Sequence, residues 1–466
     1  MNRLPPTRAA HSAAQHSAAL YRSQAHRSQA HRSRIAVRLA FLAAFLAVFV
    51  AIVPDAAAQR RRPKDGPANA PSTCPYTAGE PEALAAAGIV SLGGFPFATT
   101  DTAAIDKAYP LLDIRWIETA HMRIGFGIGE YSVRNDERAK IDAELEQLRR
   151  GLPTVPKRPR TLEPWLRAHL FAQRAEQHYA RILDVLRVDP AAFPDGTKLW
   201  DTTGKYMGMG PYLGQKGKFE LLILPTGAAV KQFLSDNFGL QVEGTQRWNV
   251  KERDALLLVI PAEAGSARRD TGLHCHVVFN LTTNFIDGYK HYSYELPVWL
   301  REGLAHAMER EIDPRFNSFT YSEGAAGERV TKTDWLAETR KLVRTAAAPT
   351  MAELVNISAY GDLEGRHHLA SWSMTEFLLR AHPEAYAAIQ DALNGRTTAD
   401  GFTDGSNLKD AHRDAFREHL GMSYAAFDSA WQTWVMTPAA EGQGAGTGGD
   451  EPPPLVPPFG GPPVGD

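Results

Sequence analysis

Two short, almost purely apolar runs, FELLILP at 219–225 and ALLLVIP at 255–261, do most to limit how this chain can fold. Runs of this length and composition read as buried strands. Between them, 228–237 has the spacing of a helix. After 261 the strand signal stops, and helical patterns follow at 272–283, 297–312, 366–381, 383–393, 410–420 and 424–435. Strands first and helices afterwards predict an α+β fold with a small sheet and a helical C-terminal half.

The upstream part is mixed. Residues 113–128 (DIRWIETAHMRIGFGI) alternate and are rich in β-branched side chains, which predicts one or two strands. Gly125, Gly127 and Gly129 form a G-x-G-x-G, but no helix opens behind it as a dinucleotide site would need. A strand softened by glycine is the plainer reading. A charged helix is expected over 136–150, and a Pro-rich basic loop over 152–159. A long amphipathic helix is expected over 162–188, with Trp165, Leu166, Leu170, Ala175, Tyr179, Ile182 and Leu186 on or near one face. We therefore divide the body into an N-terminal α+β region, 74–214, and a second domain, 215–436.

The two ends have different compositions. Leu39–Val53 is an unbroken run of 15 apolar residues, preceded by Arg32, Arg34 and Arg38 and followed by Ala56-Ala57-Ala58. Basic, apolar and small-residue regions in that order are the pattern of a signal peptide. The run is short of the ~20 residues a membrane helix needs. Residues 1–58 are thus expected to be an overlong leader, with an uncleaved signal anchor as the alternative. Arg60, Arg61 and Arg62, just beyond, oppose translocation. Residues 59–73 read as a linker. The Gly- and Pro-rich stretch 437–466 reads as a disordered tail.

The leader carries seven Arg and one acid, so the rest of the chain holds 44 basic against 52 acidic residues. That acidic balance argues against nucleic acid as a partner. Cys74 and Cys275 are too few for a disulfide framework; a single bridge and two buried free thiols are both open.

One segment carries chemistry. Residues 297–306 read Pro-Val-Trp-Leu-Arg-Glu-Gly-Leu-Ala-His. This resembles the P-x-W-L-x-E-G-x-A segment of gluzincin-type, peptidase MA-like metallopeptidases, and the resemblance extends over about 215–435. It implies a zincin-like domain in which Glu302 is the third zinc ligand. The first two ligands in such a family come from H-E-x-x-H on the preceding helix, whose Glu is the general base. Here that helix reads His274-Cys275-His276-Val277-Val278-Phe279-Asn280. With His276 in the place of the first histidine, Val277 stands at the base and Asn280 at the second histidine. Valine cannot accept a proton, and a carboxamide is a poor zinc ligand beside imidazole.

Two readings of these residues stay open, beside a third in which the chain is a scaffold protein whose Pro-rich tail is the working part. On the first, His276, Asn280 and Glu302 are a vestigial site, and the chain is an exported, inactive homologue of a zinc peptidase. It would bind a protein or peptide, or play a structural role at the cell envelope, without a cofactor. On the second, His306, at i+4 from Glu302, replaces the lost ligand, and His276, Glu302 and His306 hold zinc in a divergent hydrolase. His274 lies at i+2 from His276 and points elsewhere. In 366–379 (RHHLASWSMTEFLL) Trp372 matches the family's Y-x-x-x-W pattern and His368 takes the Tyr place. There it would stabilise an oxyanion in an active site, while His367 and His368 would otherwise cap or line the pocket. Membrane contact is expected only if the N-terminal segment is kept.

Overall fold

The computed structural model describes residues 73–197, 205–293, 295–320, 330–398 and 404–441. The leader, most of the linker and nearly all of the tail lie outside them. Among the described residues the strands are β1 (Ile89–Ser91), β2 (Pro96–Phe97), β3 (Thr100–Asp101), β4 (Arg115–Thr119), β5 (Met122–Phe126), β6 (Tyr131–Ser132), β7 (Thr161–Leu162), β8 (Phe219–Leu224), β9 (Gln246–Val250) and β10 (Ala255–Pro261). The helices upstream of the last strand are α1 (Pro81–Ala86), α2 (Thr102–Ala108), α3 (Arg138–Gly151), α4 (Pro164–Leu186) and α5 (Gly227–Phe238). Those after it are α6 (Asp270–Gly288), α7 (Val298–Ile312), α8 (Trp335–Arg344), α9 (Met351–Asn356), α10 (Gly365–Ala381), α11 (Pro383–Leu393), α12 (Leu408–Leu420) and α13 (Tyr424–Val435). The fold is mixed α and β, with a small sheet and a helical second half.

Six strands form the main sheet in the order β1-β4-β5-β8-β10-β9. β5, β8 and β10 run parallel at its centre, with Ile124 opposite Leu221 and Leu258 opposite Leu221 on the other side. β4 pairs antiparallel with β5, and β9 antiparallel with β10. Strands from both sides of residue 214 therefore share one sheet. All residues of β8 and β10 are buried, as expected where helices cover both faces.

The period of two divides them cleanly. Phe219, Leu221 and Ile223 join Leu256, Leu258 and Ile260 in the large core under α4, α6 and α7. Leu222, Leu224, Leu257 and Val259 face a smaller core with Val230, Phe233 and Leu234 of α5 and Trp116 of β4. Gly125 is required at that second face. A Cβ there would lie 2.5 Å from the Trp116 ring and 2.7 Å from Leu222, so glycine lets the indole lie across the strand.

α4 buries all seven of its expected apolar residues. It also buries Arg174, whose guanidinium meets Glu144 of α3 and Asp270 at the start of α6, each at 2.6 Å. That pairing fixes the start of α6 against two helices. Cys74 and Cys275 are both free and buried. Cys74 Sγ lies 3.0 Å from His169 Nε2. Among the described residues no helix is long and apolar enough to cross a membrane.

Candidate metal centre

α7 is the helix of the P-x-W-L-x-E-G segment. Trp299 is fully buried, edge-on to Phe416 of α12, and anchors the helix in the core. One turn on, Gly303 brings α7 and α10 together. A Cβ at this position would lie 2.3 Å from Thr375 Oγ1 and 2.5 Å from the Ser371 carbonyl oxygen of α10. Close contact there sets the α10 residue His368 against α7.

Glu302 and His306, at i and i+4, lie on one face of α7. Together with His368 they form the one group among the described residues with ligand atoms spaced to hold a metal ion. Glu302 Oε2 lies 3.5 Å from His306 Nε2 and 3.5 Å from His368 Nδ1, and the two nitrogens are 3.2 Å apart. A tetrahedral ion with bonds of about 2.1 Å separates its ligands by about 3.4 Å. The triangle thus has the edge lengths of one face of a zinc tetrahedron. Glu302 Oε2 is buried and has no hydrogen-bond partner among the described residues, as expected of an atom kept for a cation. Its other oxygen, Oε1, accepts from the Thr320 hydroxyl.

The surroundings suit a ligand set. Glu309, one turn beyond His306, lies 2.8 Å from its Nδ1 and accepts the Ser318 N–H on both oxygens, at 3.0 and 2.8 Å. With Glu309 ionised, Nδ1 is the donor and the Nε2 lone pair is turned to the centre, the usual carboxylate–histidine support of a metal ligand. Burial, then the neighbouring His368 and Arg310, hold His306 well below the ordinary histidine range, so the ring is neutral. Burial pushes the Glu309 carboxyl well up, Ser318 opposes it and the Glu302 charge adds to it. A divalent cation would offset the two carboxylates. Phe279, Phe319 and Trp335 pack on the His306 ring at 5.1, 5.5 and 4.8 Å, and Phe319 also meets His368 at 4.9 Å. Such dry walls strengthen electrostatic contacts.

The structure gives the sequence candidates different places. Glu302 and His306 come together, but the third member is His368 and not His276. The His276 ring faces Thr245 Oγ1 at 2.7 Å and Ser318 Oγ at 3.1 Å, so both its nitrogens are engaged outside the group. Asn280 donates to the His276 carbonyl oxygen at 2.9 Å. Val277 is 1% exposed in the main core, and no base occupies its place. His274 turns to the other side of α6, 2.9 Å from Lys140 Nζ. His367 caps α10: its Nδ1 accepts the Glu364 N–H at 2.9 Å. Glu309 and Ser318 were missed. The i, i+3 spacing of His306 and Glu309 could have flagged the first; nothing in the sequence marks the loop residue.

Beside the centre lies a cleft of about 1460 Å³. One wall is the edge strand β9, the floor is the Asn280–Asn284–Asp287 face of α6 with the first turn of α7, and Thr320 closes it toward Glu302. Arg247 and Arg301 both reach Asp287 Oδ2, at 2.9 and 2.6 Å. Compared with models of known protein families and with curated proteins, the chain matches none.

Proposed function

We propose that this chain is an exported metalloprotein on a zincin-like scaffold of the gluzincin type. In it Glu302, His306 and His368 hold one divalent cation of the zinc class. It works by binding a protein or peptide in the adjoining cleft rather than by cutting it. The observation that carries this reading is the ligand triangle, with Glu302 Oε2 buried and otherwise unpartnered. Against hydrolysis stands the residue at the expected base position: Val277 is sealed in the core.

The test is metal analysis of the purified chain. About one zinc per chain is expected, lost in His306→Ala, His368→Ala and Glu302→Ala and kept in His276→Gln. Zinc that depends on His276, or that survives the loss of His368, would overturn the ligand assignment.

A second reading, a divergent metal-dependent hydrolase, draws on the count of protein ligands. Three leave a fourth corner open, where a bound ion can lower the pKa of a water. Peptide hydrolysis by the zinc-loaded chain, abolished in His368→Ala, would favour it over the binding role.

A further inference from the structure

The cleft carries donors that the metal centre does not use. Arg247 and Arg301 share a single carboxylate oxygen of Asp287, so this trio has one positive charge in excess. Arg301 and Asp287 are 3% and 4% exposed, whereas Arg247, on the edge strand, is 18% exposed and reaches the cleft. Asn284, 2% exposed, lines the cleft, and among the described residues its Nδ2 has no partner. The buried Tyr360 hydroxyl, on the ring that stacks under Arg301 at 5.4 Å, also lacks one. The first turn of α7 opens on the same cleft with Pro297 as its cap, which makes no side-chain capping bond. Lys251 and Lys409 also line the cleft, with Glu295, Asp362 and Asp410; the positive excess belongs to the Arg247–Arg301–Asp287 trio alone.

Buried donors without acceptors cost free energy unless a ligand satisfies them. One excess charge, a guanidinium fork and two neutral donors fit a planar monoanion. Asp287 Oδ1 is also unpartnered, and it is an acceptor. A peptide terminus offers both kinds of group: a carboxylate for the donors and the N–H of its last peptide bond for Asp287.

We propose that the Arg247–Asn284–Tyr360 end of the cleft binds the free C-terminal carboxylate of a peptide. The position fits the metal centre as well. Asn280 lines the cleft together with Thr320, whose hydroxyl bonds Glu302 Oε1. Asn284 is one turn further along α6, about 6 Å away. An extended residue spans about 3.5 Å, so a peptide held by its carboxylate would lay its last one or two peptide bonds beside the metal. This deepens, and rests on, the peptide-binding role proposed above.

The test uses the full zinc-loaded chain and a pool of fluorescein-labelled hexapeptides, made once with a free C-terminal acid and once as the amide, read by fluorescence anisotropy. The acid pool is expected to bind at least about tenfold tighter, the worth of a charge-assisted hydrogen bond. Arg247→Gln should remove that preference with zinc content unchanged, and Tyr360→Phe should reduce it. Equal binding of acid and amide by the native chain would overturn the carboxylate site while leaving a peptide cleft. A preference that survives both substitutions would overturn the assignment of these residues. If neither pool binds, the carboxylate site and the peptide-binding role both fall, while zinc content still reports separately on the metal centre. Should Arg247→Gln fail to fold, the native comparison and Tyr360→Phe decide.

Discussion

Glu309 is the residue on which the centre's geometry turns, although it holds no ligand position. It fixes the His306 ring through the 2.8 Å contact at Nδ1, and it is itself held by the Ser318 backbone N–H. Glu309→Gln keeps the volume but replaces a two-oxygen acceptor by one carbonyl and a donor amide, so it cannot serve both partners equally. Loss of such a supporting contact costs roughly 10–100-fold in metal affinity. Competition with a zinc chelator should show a fall in that range for Glu309→Gln and a much smaller one for Ser318→Ala, which keeps the N–H. An unchanged affinity in Glu309→Gln would remove it from the centre. At this scale spacing is informative within one helix and silent between helices. The i, i+4 pair Glu302 and His306 can be read from the sequence. His276 and Asn280 have the same spacing on α6, yet their polar atoms are taken up by Thr245, Ser318 and the α6 backbone. That His368 meets His306 depends on a helix contact at Gly303, Ser371 and Thr375 that no local pattern encodes.

That helix contact is testable as an element. Gly303→Ala puts a methyl where Thr375 Oγ1 and the Ser371 carbonyl oxygen now sit, and α7 and α10 must separate by a few tenths of an ångström or more. Overpacking of this kind costs about 1–3 kcal/mol. Because the ligands come from both helices, zinc affinity should fall together with the melting temperature. A substitution that lowers the melting temperature and leaves zinc affinity intact would mean the ligand triangle does not depend on this contact. The elements themselves differ in how well the sequence declares them. β8 and β10 were legible because burial on both faces demands continuous apolar runs, and α4, α6, α7 and α10 because each has ten or more residues of helical spacing. β9 (QRWNV) was not anticipated: it is an edge strand whose first four residues are only half-buried, so it lacks an apolar signature. Its antiparallel pairing with β10, which makes one wall of the cleft, is set by tertiary contact alone.

For the whole molecule, the buried histidines set a direction for pH. His169, His178 and His412 are 2%, 6% and 0% exposed. Burial alone takes His169 down to about 4 and His412 to about 3; burial aided by the Arg181 charge takes His178 to about 3. In the unfolded chain these groups return to about 6.5. As pH falls below that value the unfolded chain takes up protons that the folded chain refuses, so stability drops with falling pH until the folded values are reached near 3–4. Each such group contributes roughly 1.4 kcal/mol per pH unit inside the window. Glu220 works the other way. Burial raises it to about 7, so between about 4.5 and 7 it is protonated in the fold and ionised in the unfolded chain, and it favours the fold as pH falls. His276 and His291, lowered to about 4 chiefly by burial, act with the three histidines above, and the raised carboxyls of Asp106, Glu376 and Asp428 act with Glu220; the histidines are the more numerous, so stability falls as pH drops from about 6 to 4.5. Urea unfolding at pH 7, 6 and 5, with chelator present so that release of an ion plays no part, should show the midpoint falling steadily. His412→Gln should flatten the slope, since it removes one of the protonations that favour the unfolded chain while the raised carboxyls remain. A midpoint independent of pH over this range would mean that these rings are charged in the folded chain or reached by water, and the packing of α4 against α6 and of α12 against α7 would need to be drawn differently.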